Sequence, residues 1–363
     1  MRVLVTTAPL IGHVFPLVPL ARAVQAAGHD VLVATGGDAG CVRDAGLAVE
    51  EVGSDVRLSR LAIRLLLRHP LVARRELAGT AGTSGVSYLF GAVNARIAEG
   101  VLAIARRWRP DLVLHEPLSV AGALAAAELG VPSVMQQNML FDGPTLLRVT
   151  AERMGVTVAE PAATISIAPP SVLPDPAGWL MRPVPYGGEG TLPAWLAEPS
   201  DRPRVAVSHS TIAGPGNNGL IRRVVQAAAE IDAEFVLIRA DRRVTGRPLP
   251  ANVRTVDWVP MPALLECCAA VVHHGGAGTA FAALGAGIPQ LVLNGPGDRR
   301  SNAQRIAARG AGLACDEREI TAAALSRLLT DARLVSNATE VRDEIATQPA
   351  PEAVVPRIEA LVA

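Results

Sequence analysis

Residues 271–304, "VVHHGGAGTAFAALGAGIPQLVLNGPGDRRSNAQ", carry two adjacent imidazoles into a glycine cluster where a hydrophobic run gives way to an alanine-rich helical pattern. Gly275, Gly276 and Gly278 permit a tight turn and close approach of a ligand to the backbone. The helix that follows offers free N–H groups and the positive end of its dipole over Gly276, Ala277, Gly278 and Thr279, and a phosphate fits that description. His274 can give a ring N–H to a phosphate oxygen or steady a departing diphosphate, and the Thr279 hydroxyl adds a donor. The same glycines also suit a turn needed only for packing a strand against a helix. The histidine pair and the downstream "GDRRSNAQ" favour binding.

Other candidates stand at the ends of hydrophobic runs. Asp298, beyond "PQLVLNGPG", can accept hydrogen bonds from sugar hydroxyls, with Arg299 offering a planar donor fork; a solvated loop is the commoner use of such a charged triplet. Trp258 closes "VRTVDW" and can lie against a flat base, whose edge the backbone of Val259 and Met261 can read; an indole can equally fill a core. Ser210 and Thr211 end "RVAVSHST" and supply either phosphate donors or a helix cap. His13 follows the first strand in "TTAPLIGHVFP", and an imidazole there can take a proton from an incoming hydroxyl. Such a base needs a carboxylate to fix its tautomer. Glu116, at the end of "DLVLHEP", is the candidate, ahead of Asp111, which starts that strand; a structural histidine at a helix start is the alternative.

These groups matter only if strands deliver them to one rim. Short β-branched runs alternate with alanine-rich helical stretches, the pattern of parallel sheets covered by helices. "RVLVTT", "DVLVAT", "DLVLHE" and "PSVMQQ" read as strands of a first half, and "RVAVSHS", "EFVLIRA", "VRTVDWV", "AAVVHHG" and "IPQLVLN" as strands of a second. The fold class is therefore α/β, with two Rossmann-like domains whose open parallel sheets face a central cleft, and ligands are expected at the carboxyl ends of the strands. The Pro- and Gly-rich composition from about residue 169 to 203 marks the join. It divides the chain into a first domain over 1–185, a linker over 186–203, a second domain over 204–348 and a last segment over 349–363. Residues 53–100 are weakly patterned, and with 138–180 they are expected to form an apolar pocket that includes Tyr88, Phe90 and Phe141.

Composition narrows the partners. Lys plus Arg equals Asp plus Glu, 34 against 34, so no net field draws nucleic acid or an anionic membrane, and nothing electrostatic opposes a homodimer. Four cysteines without a C-x-x-C pair suggest neither a disulfide framework nor a structural zinc. No run is read as long and uncharged enough to span a bilayer. Gly12, His13 and Pro16 interrupt the N-terminal apolar run, which reads as a βαβ unit of a cytoplasmic protein, not a secretion signal.

"G-H-x-x-P" at 12–16 and the block from Trp258 through "HHGGAGT" and "GIPQLV" to "GDRRSNAQRIAARGAG" resemble the GT-B glycosyltransferases of family 1, particularly bacterial enzymes that attach deoxysugars to polyketides and other natural products. The resemblance spans nearly the whole chain. It implies that His13 activates the acceptor and Glu116 orients it, and that His274 and residues 276–279 hold the donor diphosphate. It further implies that Trp258 and the following residues bind the base, that Asp298 binds sugar hydroxyls, and that the last helix packs on the first domain. Two positions depart from the pattern: Arg299 stands where glutamine is common, and "VSHST" lacks the glycine that usually precedes the threonine. Glucose as donor sugar therefore does not follow, nor does a phosphate contact from Ser210.

The implied reaction is an inverting transfer from a nucleoside diphosphate sugar, a co-substrate and not a cofactor, with thymidine diphosphate as the expected carrier. The acceptor is an apolar aglycone and no metal or cofactor is expected, since a helix end can neutralise the leaving group and no D-x-D motif occurs. Transfer to an aromatic carbon, epimerisation of the nucleotide sugar, and a non-catalytic auxiliary protein are the rival readings. A nicotinamide dehydrogenase is disfavoured because no G-x-G-x-x-G follows the first strand.

Overall fold

The computed structural model describes residues 1–77, 82–210 and 217–362, and the chain divides into two compact units. The first comprises residues 1–170, 174–183 and 347–363; the second comprises 171–173 and 184–346.

In the first unit, β1 (Arg2–Thr6) leads through α1 (Ile11–Val14) and a 3-10 turn into α2 (Val18–Ala26), then β2 (Asp30–Thr35) and β3 (Ala48–Glu51). Helices α3 (Leu58–Arg68), α4 (Pro70–Leu77) and α5 (Ser84–Trp108) follow, before β4 (Leu112–His115), α6 (Val120–Leu129), β5 (Ser133–Gln137), α7 (Gly143–Arg153), β6 (Ala163–Ser166) and β7 (Trp179–Leu180). All pairings are parallel, in the order β3-β2-β1-β4-β5-β6-β7. Strands covered on both faces need continuous hydrophobic runs, and Leu4, Val113 and Val134 are accordingly buried. The small side chains of α6, Ala121, Ala125 and Ala126, let it pack closely in the same core as Leu4 and Val113.

Residues 53–100, read as weakly patterned, are mostly helical: Ile97, Val101 and Ile104 of α5 are buried against Leu61 of α3 and Val93 of α5 itself. Their apolar spacing was obscured because α3 leaves Ile63, Leu66 and Leu67 exposed among arginines instead of showing one dry face. The 25-residue α5 is also long and apolar enough by length and composition to cross a bilayer, contrary to the expectation that no segment is; in the fold one side of it lies in the core.

The second unit opens with α8 (Ala194–Ala197) and β8 (Arg204–Ser208), then α9 (Asn217–Ala228), β9 (Glu234–Ile238), α10 (Arg242–Thr245), β10 (Val253–Val256), α11 (Met261–Glu266) and β11 (Ala270–His273). It continues with α12 (Ala277–Ala286), β12 (Gln290–Leu293), α13 (Arg299–Arg309), β13 (Gly312–Cys315), α14 (Ala322–Thr330) and α15 (Ala332–Thr347). The sheet is parallel in the order β10-β9-β8-β11-β12-β13. Residues 186–203, expected as a linker, pack within this unit: Leu196 is buried with Val236 and Val271, and the Arg204 guanidinium donates to the Leu196 carbonyl at 2.7 Å. The chain then returns to the first unit, where α16 (Pro351–Glu359) packs on α2 and Glu359 Oε1 lies 2.7 Å from His29 Nε2.

Both sheets reverse their strand order once. After β1 the chain winds outward through β2 and β3, then restarts on the other side at β4; β8 and β11 repeat the manoeuvre. Loops leaving the carboxyl ends of such a pair diverge and leave a crevice, so β1/β4 and β8/β11 are where each unit should bind.

Candidate active site

The β1/β4 crevice holds a histidine and a glutamate. Thr6 pairs with His115 across these strands, so the loop carrying His13 leaves beside Glu116. His13 Nδ1 lies 2.7 Å from Glu116 Oε2, and Glu116 Oε1 accepts the Ala8 backbone N–H at 2.9 Å. Glu116 is fully buried, whereas the His13 side chain keeps 20% of its surface exposed. The arrangement fixes the imidazole. With Nδ1–H donating to the carboxylate, Nε2 carries the lone pair. Phe90 of α5 holds the ring from one side at a centroid distance of 4.9 Å, and Asn138 Nδ2 donates to the His13 carbonyl at 3.3 Å. Asp111 is elsewhere: it precedes β4 and accepts the Arg2 N–H at 2.6 Å. Of the other aromatics expected in a pocket, Tyr88 is engaged by His69, stacked at 4.4 Å, and by the Arg153 guanidinium at 4.1 Å, while Phe141 packs with the core cluster of Phe90 and Met139.

At the β8/β11 crevice the two adjacent histidines separate into different roles. His273 is buried at the strand end, with Nε2 2.9 Å from Gln290 Oε1 and Nδ1 accepting the Gly275 N–H at 3.2 Å. It must therefore donate through Nε2 and is neutral, and burial pushes its pKa down to about 4. This has a consequence for stability. The unfolded imidazole takes up a proton near its ordinary value and the folded one does not until about pH 4, so between these values the unfolded state binds more protons and stability is lost as the pH is lowered. Acidification from pH 7 to 5 should cost about 2 kcal/mol through this group. His273→Asn, compared with the wild type in denaturant melts across that range, should show a flatter pH slope; an unchanged slope would contradict the assignment.

His274 faces the glycine loop. Burial, with the neighbouring His273 and Arg299, holds it well below its ordinary pKa, and its Nδ1 is buried without a hydrogen-bond partner among the described residues. A Cβ at Gly276 would lie 2.6 Å from His274 Nε2, so only glycine leaves the ring in place. Gly275, at φ +91°, turns the chain in the left-handed region, and a Cβ there would meet the Leu293 carbonyl at 2.9 Å. Gly276 then caps α12 with no side-chain hydrogen bond and no acid in the first turn, leaving the N–H groups of Ala277, Gly278 and Thr279 at an open helix start. A side chain at Gly278 would meet nothing within 4 Å, so close packing does not explain that glycine.

Asp298 caps α13, where its Oδ2 accepts from Asn302 Nδ2 at 2.9 Å. Asn302 also donates to the Gly275 carbonyl at 2.9 Å, binding the two loops together. No role was read for Asn302 or Gln290; the four-residue spacing from Asp298 was the available signal for the former. Arg299 does not lie open beside Asp298 as a donor fork, because its Nε donates to the His274 carbonyl. Ser210 follows β8 and its carbonyl lies 2.9 Å from His209 Nδ1; Thr211 falls outside the described residues. Trp258 follows β10, is 40% exposed and has the Arg239 guanidinium 5.6 Å from its ring centroid. The Val259 side chain is buried in the core, leaving its backbone for any contact.

Two doubly wound parallel sheets, with a fixed imidazole at the central rim of one and a glycine loop opening a helix at the central rim of the other, define the GT-B architecture. Residues 22–210 and 222–361 match the N-terminal and C-terminal domains of the family described as erythromycin biosynthesis protein CIII-like. The elloramycin glycosyltransferase ElmGT of Streptomyces olivaceus is 38% identical over 99% of this chain and 97% of its own length. The crystal structure of the glycosyltransferase SnogD from Streptomyces nogalater superposes with a TM-score of 0.86 at 37% identity, covering 100% of both chains. That of the glycosyltransferase SsfS6 from Streptomyces sp. SF2575, complexed with thymidine diphosphate, does so at 0.80 and 30%, covering 99% of each. The chain belongs to the erythromycin CIII-like family of GT-B glycosyltransferases and is a glycosyl-transferring enzyme.

Proposed function

We propose that the enzyme moves a deoxysugar from a thymidine diphosphate donor to a hydroxyl of an apolar polyketide-type acceptor, with inversion at the anomeric carbon and His13 as general base. The His13–Glu116 pair, 2.7 Å apart, carries the reading. A buried carboxylate that accepts Nδ1–H leaves Nε2 to remove the acceptor proton as the oxygen attacks. The anomeric carbon–oxygen bond to the diphosphate breaks on the opposite face, and one displacement gives inversion. Developing charge on the leaving diphosphate is met by the N–H groups at the start of α12 and by one N–H of a neutral His274. The scheme uses no metal ion or cofactor. Thymidine diphosphate in the SsfS6 structure and the elloramycin named for ElmGT support the classes of donor and acceptor. The exposed face of Trp258 suits the base.

The test is to incubate the enzyme with an α-linked thymidine diphosphate deoxysugar and a hydroxylated polycyclic aromatic acceptor. Expected products are a β-O-glycoside, identified by its anomeric proton coupling, and one equivalent of thymidine diphosphate. Retained configuration or a carbon-linked sugar would overturn the proposal, as would conversion of the donor to an epimer without acceptor.

A further inference from the structure

We propose that Arg299, and not a histidine, is the fixed cation of the donor site: a positioning residue that fastens the glycine loop and holds positive charge behind it. The inference rests on the donor assignment above and goes beyond it in naming where the charge resides.

The side chain begins at the first residue of α13, yet it folds back across the loops. Its Nε donates to the His274 carbonyl, the last acceptor before the left-handed turn at Gly275. The space it occupies exists because two neighbours lack side chains. A Cβ at Gly295 would lie 2.6 Å from both the guanidinium carbon and Nε, and a Cβ at Gly275 would lie 3.1 Å from Arg299 Cβ. Among the described residues, no carboxylate comes within ion-pair distance of Arg299. Asp298, its neighbour in sequence, accepts from Asn302 and acts on the guanidinium only through space, too weakly to offset its burial. A half-buried guanidinium without a carboxylate in contact is desolvated at a cost, and burial lowers its affinity for its proton in spite of Asp298; an anion bound nearby offsets that cost.

The histidines cannot take this role. His273 has both ring nitrogens committed inside the fold, and His274 is held neutral by burial and by the adjacent guanidinium. His274 can place one N–H, but neither ring brings a full charge. Arg299 does, and through the His274 carbonyl it also sets the height of the loop whose N–H groups meet the anion.

Titration calorimetry of wild type, Arg299→Gln, Arg299→Lys and Gly295→Ala with thymidine diphosphate, and separately with uncharged thymidine, tests this. Loss of one charge-assisted interaction should weaken thymidine diphosphate by about ten-fold or more in Arg299→Gln and leave thymidine within about two-fold. Arg299→Lys should recover part of the loss. Gly295→Ala, which keeps the arginine but displaces it, should shift affinity in the same direction as Arg299→Gln. Undiminished binding of thymidine diphosphate by Arg299→Gln would overturn the inference, as would equal losses for both probes, the mark of a merely structural role. A wild-type protein that binds thymidine but gains nothing from the diphosphate would overturn it too. Failure of the wild type to bind either compound would instead overturn the donor assignment on which it rests.

Discussion

Alanine at position 13 should reduce sugar transfer to a hydroxyl by about 10²- to 10⁴-fold in kcat, the range that a positioned general base contributes, while affinity for thymidine diphosphate stays unchanged. The separation follows from topology. His13 sits in the β1/β4 crevice of the first unit, and the loop proposed for the diphosphate sits in the β8/β11 crevice of the second. His13 also packs on Phe90, so the substitution leaves a small void, and a melting curve should show a modest loss of stability. Near-native kcat would remove His13 as the base. Loss of nucleotide affinity would show that the residue acts on the donor instead.

Glu116→Gln should be almost as damaging, for a different reason. Glu116 Oε1 accepts the Ala8 N–H at 2.9 Å, and only the carbonyl oxygen of a glutamine can do the same. The amide NH₂ is then turned toward His13 Nδ1, which must accept, so the ring proton moves to Nε2. The base is present in the wrong tautomer, the fault that costs about 10⁴-fold when the buried aspartate of a serine-protease triad becomes asparagine. A drop of about 10²- to 10⁴-fold in kcat with little change in melting temperature is expected. Retention of more than about half of the wild-type kcat would mean that orientation by the carboxylate is not required. Glu116→Ala separates the two effects, because it frees the ring to choose its tautomer but leaves the Ala8 N–H unpaired in the core.

The α/β alternation was legible because buried parallel strands are hydrophobic without interruption, as in "RVLVT" and "QLVL". The strands that escaped notice are short or marginal: β3 is "AVEE", β6 is "ATIS", β7 is the pair Trp179–Leu180, and β13 is "GLAC". β3, β7 and β13 lie at sheet edges, which face less core and need less apolar sequence. The location of the chemistry was also legible, since every carboxyl end of a parallel sheet points to one rim. The division of labour between the two histidines was not. It depends on Gln290, from the next strand, capturing His273. The direction of Arg299 depends likewise on empty space at Gly295 and on the carbonyl of His274, which lie on different loops. Spacing along one chain carries no signal for partners that meet only after folding.

The first unit is assembled from separated stretches of chain, with the whole of 184–346 inserted before α16 returns to it. The first unit is therefore complete only when the last stretch of chain arrives: until then α2 has an uncovered flank and His29 lacks Glu359. A chain truncated after α15 should be cut by protease more readily in its first unit than the full-length chain, with the second unit cut no faster.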